Sequence, residues 1–241
     1  MRNFLFILSA FILFACKDKD SGISSSDYEL SADGLTLLKW RNENTTALDM
    51  QADPILRKVQ VIGKEAFYLH KNIMNITLPD DLQRIEKEAF SGCQFRSIII
   101  PKKVQIIGIG AFKAAKLTSV EFPEGLITID AEAFNSCQIP SFKLPESLQT
   151  IGSEAFVYNY AIVSVTIPKN VQKIGYSAFY AVGGHLVSAT FKGVNPPQII
   201  NPIFYQLENG ITRIYVPKGR LDVYKNDERF KRYSDILTEE E

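Results

Sequence analysis

Apolar and polar positions alternate in a series of short runs, each closed by proline. Ser119-Val120-Glu121-Phe122, Ser141-Phe142-Lys143-Leu144 and Ser164-Val165-Thr166-Ile167 precede Pro123, Pro145 and Pro168. A period of two predicts half-buried strands, with Val120 and Phe122 turned inward and Ser119 and Glu121 outward. Proline has no N–H to give a neighbour and ends the ladder there. A second apolar stretch follows, as in Leu126 to Ile129, and predicts a second short strand. Gly108, Gly152 and Gly175 suit a turn after it. An Ala-Phe pair closes the phrase, its ring directed into the coil and its alanine leaving room beside the ring.

The phrase repeats. Ala-Phe recurs at residues 66–67, 89–90, 111–112, 133–134, 155–156 and 178–179, in steps of 23, 22, 22, 22 and 23 residues. Ile62, Ile85, Ile107, Ile129, Ile151 and Ile174 keep the same register, as do Pro79, Pro101, Pro123, Pro145 and Pro168. Self-similarity at a fixed short period marks a solenoid, whose coils bury their apolar sides only by stacking. The expected fold is a β-rich solenoid of about seven coils with parallel strand stacks, short turns or helices and a C-terminal aromatic cap. Stacking at about 4.8 Å per coil gives a rod of about 34 Å.

The ends differ from the middle. Residues 1–16 carry Arg2, an apolar run from Phe4 to Phe14, and Ala15-Cys16, too short a run to span a bilayer and so expected to be a signal peptide. Residues 17–29, with Lys17-Asp18-Lys19-Asp20 and the serines from Ser21 to Ser26, read as a tether. Residues 30–56 read as an N-terminal cap holding Leu35, Leu37, Leu38 and Trp40, with Ala47 to Met50 as a first strand and the repeat register lost. Residues 57–193 are the regular coils. In residues 194–241 Pro196-Pro197 stand in place of a second strand and Ile203-Phe204 in place of Ala-Phe. Ile214-Tyr215-Val216-Pro217 is the last strand. Leu221, Val223, Tyr224 and Phe230 then fall in a charged helical stretch that covers the final edge.

Composition narrows the chemistry. The 241 residues include 27 basic and 27 acidic side chains, so no net positive charge points to nucleic acid. Cys93 and Cys137 hold the same repeat position two coils apart, beyond disulfide reach, and are expected to be free buried thiols; His70 stands in that slot in an earlier coil. His185 lies in the Gly183-Gly184-His185 insertion, far from His70. Glu65, Glu88, Glu132 and Glu154 precede Ala-Phe and are read as turn residues. No phosphate loop, G-x-S-x-G, H-E-x-x-H or zinc spacing occurs, so no cofactor, metal or enzymatic activity is expected. Two outward features are left as candidate binding surfaces. One is the row Asn75, Ser97, Ser119, Ser141 and Ser164, which is otherwise a plain solvated sheet face. The other is the group Tyr158, Tyr160, Tyr176 and Tyr180, which otherwise packs along the outside of the coils.

The copies from Pro79 to Cys93 and from Pro123 to Cys137, with their V-x-x-I-G and A-F-x-x-C phrasing, resemble the BspA-like leucine-rich-repeat family of bacterial surface proteins. The resemblance covers about residues 46–241. It implies a leucine-rich-repeat solenoid and a surface-anchored, non-catalytic binding module. Its partner would be a protein or glycan, a host matrix protein among them. The alternative is a structural or accessory envelope lipoprotein without a host ligand. Leu13-Phe14-Ala15-Cys16 resembles a lipobox, which implies lipid attachment at Cys16, with Phe14 bulky where a small residue is usual; an ordinary signal peptide with an incidental cysteine is the alternative. Residues 17–20 resemble the surface-export stretch of Bacteroidetes lipoproteins. Together these imply an outer-membrane lipoprotein facing outward, or else facing the periplasm.

Overall fold

The computed structural model describes residues 22–180, 186–204 and 211–241. Cys16, the Lys17–Asp20 stretch and the Gly183-Gly184-His185 insertion lie outside the described residues. The chain winds into a stack of short rungs whose equivalent strands pair in parallel.

The stack is held by a nine-stranded sheet made almost wholly of two-residue strands. After the hairpin Tyr28–Leu30 and Thr36–Trp40 come Val61–Ile62, Arg84–Ile85, Ile106–Ile107, Thr128–Ile129, Thr150–Ile151, Lys173–Ile174 and Gln198–Ile199. The isoleucines of the repeat pair in register, Ile129 between Ile107 and Ile151, and from Ile62 to Ile174 all are fully buried. The expected strand from Leu126 to Ile129 is therefore shorter. Leu126 N–H closes a turn onto Pro123 O at 3.1 Å, which leaves only Thr128 and Ile129 in the ladder. Residues 196–197 do not replace the second strand of their coil; it follows them, with Ile199 paired to Ile174.

The runs before proline, by contrast, do not make one sheet. Ala47–Asp49 pairs with Asn75–Thr77, Ser97–Ile99 with Ser119–Glu121, and Ser164–Ile167 begins a four-stranded group. Residues 141–144, expected as a strand, belong to none. Phe142 there is only partly buried and its ring lies on that of Phe156, centroids 4.4 Å apart.

Ala-Phe builds the third wall. Its phenylalanines form a single column: Phe67, Phe90, Phe112, Phe134, Phe156 and Phe179 stack with centroids 5.0, 5.2, 5.1, 5.4 and 5.4 Å apart and interplanar angles of at most 12°. The surrounding turn uses its N–H groups alternately. Glu132, Phe134 and Ser136 donate to Ser153, Ala155 and Val157 of the next coil at 2.9, 2.8 and 2.9 Å, while Ala133 and Asn135 donate back within the turn. Glu132 and Ser136 adopt φ of 57° and 58°, and the coils from Phe67 to Phe156 repeat this pair of left-handed residues, as at Glu65 and Leu69 or Glu154 and Tyr158. Left-handed backbone costs a non-glycine residue roughly 1–2 kcal/mol. It persists because the buried backbone groups are thereby paired along the stack.

The glycines after the isoleucines serve close approach rather than a left-handed turn. A Cβ on Gly175 would stand 2.2 Å from Ser153 N, and one on Gly152 2.3 Å from Ala131 N. Backbone meets backbone where these coils pack.

Both ends extend the column. Trp40, expected within a cap that has lost register, stacks on Phe67 at 6.0 Å, and its N–H donates to Ala66 O as a repeat phenylalanine would. Thr36-Leu37 pairs in parallel with Val61-Ile62, so the cap supplies the first of eight parallel rungs among the described residues. Tyr28, which falls inside the expected tether, instead stacks on Trp40 from the hairpin. At the far end Phe204 continues the column from Phe179. The cap beyond it is one helical turn at Leu221–Lys225, a 3-10 turn at Lys231–Ile236, and a final strand Leu237–Glu239 that adds in parallel to Arg213–Val216. Tyr224, Phe230 and Tyr233 are fully buried against Phe191 and Phe204. The last edge is short and ends in Glu239-Glu240-Glu241, charges that discourage further strand addition.

Candidate binding surface

A column that consumes every inward position leaves function to the outside. The slot three residues after each phenylalanine shows how completely the interior is spoken for. Cys93 Sγ and Cys137 Sγ donate to Phe67 O and Phe112 O, each at 3.2 Å, and Asn159 Nδ2 donates to Phe134 O at 2.7 Å. Both cysteines are free and buried, and burial pushes both thiols up to about 12. A thiol so protonated is neither nucleophile nor metal ligand near neutral pH. Among the described residues no three His, Cys, Asp or Glu side chains are placed to hold a metal ion.

The tyrosines divide into two places. Tyr158 and Tyr160 are exposed, with ring centroids 6.1 Å apart. Tyr158 N–H donates to Tyr180 O, so Tyr180 lies beside Tyr158 on the next coil. Tyr176 sits at the opposite end of that turn, where its carbonyl accepts from Glu154 N–H, with the inward Phe156–Ala178 step between. The structure thus brings Tyr158, Tyr160 and Tyr180 together and sets exposed Tyr176 apart. Val163 and Val187, both about half exposed and joined by Val187 N–H to Val163 O, lie on the same two coils.

The serine row is exposed but discontinuous. Ser97 pairs with Ser119 and Ser164 with Ser188, while Ser141 lies in no strand and Asn75 pairs with Ala47 instead. Grooves open at the proline corners of this wall. One of about 380 Å³ is lined by Ile99, Lys102, Glu121, Phe122 and Glu124, and one of about 260 Å³ by Ile76, Asp80, Ile98 and Ile99. Ile99, shared by both, is 67% exposed, the most exposed of the large apolar side chains described.

Two outward arrangements escaped the sequence reading. Gln60, Gln83, Gln105, Gln149 and Gln172 stand two residues before the isoleucines of their coils, a row that Ile127 interrupts, and Gln83 Nε2 donates to Gln60 Oε1 at 3.0 Å. Their fixed offset from the isoleucines was the available signal. On the turn wall Gly110 breaks the row of Glu65, Glu88, Glu132 and Glu154. Lys113 bonds Glu132 there, and that hydrogen bond, with the charges of Glu88 and Glu154, raises its pKa.

The BspA type Leucine rich repeat region matches residues 53–162 and 83–210, in six copies. The chain belongs to the BspA-type leucine-rich-repeat family. A BspA-type solenoid of this kind points to protein binding, and folds of this family are typically non-catalytic. A leucine-rich repeat protein from Bacteroides ovatus shares the fold with TM-score 0.55 at 20% identity, over 76% of this chain and 58% of that one. This chain thus spans less than two thirds of that protein's length. A leucine-rich repeat protein from T. pallidum aligns at TM-score 0.43 and 19% identity over 90% of this chain and 97% of that one. One from Eubacterium ventriosum aligns at 0.45 and 22% over 68% and 52%. No curated protein matched the sequence.

Proposed function

We propose that the chain is a non-catalytic adhesion module, tethered by a lipid on Cys16 to the outer face of the outer membrane and presenting its solenoid to a protein or glycan partner. The observation that carries this reading is the exposed Tyr158–Tyr160 pair beside Tyr180, Val163 and Val187 on consecutive coils. Exposed tyrosines give large contact area at small entropy cost and are frequent interface anchors. The described stacking rings and slot residues are committed to the interior, which leaves the exposed rings of Tyr158 and Tyr160 available to a partner.

The full-length protein, displayed on cells, is tested against an array of extracellular-matrix proteins and glycans. Binding should fall at least about tenfold when Tyr158 and Tyr160 become alanine, the scale of one lost anchor. Binding that survives this change but falls with Ile99→Ser moves the site to the proline-corner grooves. Protease added to intact cells should remove the protein. If it is spared while control surface proteins are cut, the outward-facing part of the proposal fails and the periplasm-facing alternative stands. Labelled palmitate should enter the wild type and not Cys16→Ala; equal incorporation would remove the lipid anchor.

A further inference from the structure

The slot that holds Cys93, Ala115, Cys137 and Asn159 in later coils holds a histidine in the coil of Phe67. His70 is 2% exposed, and neither of its ring nitrogens has a hydrogen-bond partner. Its Nε2 lies 3.6 Å from Glu43 Oε2, too far for a hydrogen bond, and the Glu43 side chain is 74% exposed, so water screens it. The edge of Phe67 closes one side at 6.4 Å. The charged and titratable groups that face the imidazole are Glu43, Lys39 and Cys93. Lys39 opposes a proton, and the Cys93 thiol is neutral.

Above His70 runs the 42–45 turn, and this turn holds Trp40. Asn42 O accepts from Trp40 Nε1 at 3.1 Å and from Thr45 N–H at 3.2 Å, and Thr45 Oγ1 accepts from Trp40 Nε1 at 3.2 Å. Asn72 Nδ2 binds Glu43 O at 2.6 Å, and Asn42 Nδ2 binds Asp27 Oδ1 at 3.1 Å, which joins the turn to the N-terminal hairpin.

We propose that His70 makes the N-terminal end of the solenoid acid-labile: a proton on its enclosed imidazole releases the 42–45 turn and unseats Trp40 from the aromatic column. A charged imidazole must find two acceptors, and beside it stand only the Asn42 backbone and the solvent-screened Glu43 carboxylate, which together do not offset its burial. Burial is the largest influence on the group and holds it below 6.5, with Lys39 in the same sense and Glu43 and the Asn42 backbone against. A histidine whose folded pKa is depressed contributes its stability fully above the unfolded value. That stability is lost as pH falls through 6.5 toward the folded value and then levels off. The next four coils carry Cys93, Ala115, Cys137 and Asn159 in the slot and have no such group, so the opening is local to this end.

Trp40 is the sole tryptophan and reports on the turn directly. In the full-length protein its emission should shift reversibly to the red, with greater acrylamide quenching, as pH falls from about 8 to about 5. Protection of amides in residues 40–46 should fall by up to about tenfold per pH unit below 6.5, one proton being taken up, while residues 107–134 keep theirs. His70→Asn, which places the Asn159 residue type in the slot, should abolish both changes. The proposal is overturned if wild-type Trp40 shows no shift, if the shift is toward the blue (His70 then pairing with Glu43), or if His70→Asn shifts equally. Uniform loss of protection along the chain in the wild type overturns it without any variant.

Discussion

Removing one ring from the middle of the column tests the architecture most directly. Phe112 is fully buried, with Phe90 at 5.2 Å on one side and Phe134 at 5.1 Å on the other. Truncation to alanine forfeits the transfer free energy of the side chain, about 1.5–3 kcal/mol. It also leaves a cavity walled by two flat rings held in place by their own inter-coil hydrogen bonds, Phe90 N–H to Ala111 O and Phe134 N–H to Ala155 O. Such walls collapse poorly, so the cavity contribution is large and the total should lie in the upper part of the range of about 3–5 kcal/mol for Phe→Ala. Each stacked contact adds about 0.5–1.5 kcal/mol beyond area, which again favours the upper end. Coils of a solenoid are stabilised by nearest neighbours, so the change should also weaken coupling between the two halves. Urea unfolding measures both: the midpoint falls, and the slope falls if the halves begin to separate. Phe142→Ala provides the contrast, because that ring is only partly buried and lies outside the column; it should cost about 2 kcal/mol or less. A Phe112→Ala loss under about 1 kcal/mol, or one no larger than that of Phe142→Ala, would refute the stacked core.

Three further outcomes follow from the backbone and the slot. Ala114 is exposed with φ of 55°, where the preceding coil has Gly92, so Ala114→Gly should stabilise by about 0.5–1 kcal/mol in the same urea assay; destabilisation would show that the left-handed turn carries no strain. Gly175→Ala should cost about 3 kcal/mol or more, since its Cβ would meet Ser153 N at 2.2 Å, and Gly108→Ala less, since its nearest contacts are 3.0 Å; equal costs would contradict close approach as the reason for these glycines. Cys93 and Cys137 should resist alkylation at pH about 8, read by peptide mass, because burial holds both thiols near about 12, and both should react at once in denaturant. Ready labelling of either in the native protein would place its thiol outside the slot.

The stack was legible because its rule is written in large, unambiguous residues. Ala-Phe at a constant spacing left only one way to bury six rings, and the column from Phe67 to Phe179 follows it. Trp40 hid because it lies 27 residues before Phe67, and the extra length passes through the turn at Leu56–Lys58. Its membership shows in its stacking on Phe67 and its ladder bond to Ala66. The two strand walls were read as equals, since both are short and apolar on one side. They differ physically because the second strand is pinned in every coil by an isoleucine and a closing turn, whereas the first depends on what fills it. Where Phe142 leans onto Phe156 the first wall opens, and nothing in alternation records that.

The same asymmetry explains why the binding surface was only half readable. An inward side chain has to match the ring above and below, so its identity follows from its place in the period. An outward one meets water, and residues as different as Ile99 and Glu121 pair across the same ladder step without disturbing the stack. Periodicity therefore selects the candidates by exclusion, and only three-dimensional adjacency ranks them. By that criterion Tyr158 and Tyr160 gain, because their rings lie together and the backbone of Tyr158 bonds that of Tyr180 on the next coil. Tyr176 loses, because four residues of the same turn carry it to the far end. Ile99 enters through a feature with no counterpart in the repeat: an apolar side chain left in solvent between two openings of a divided wall. The patch and the groove lie on different walls of the solenoid, so a partner that needs one is indifferent to the other. Substitution at Tyr158 and at Ile99 distinguishes them in a single binding series.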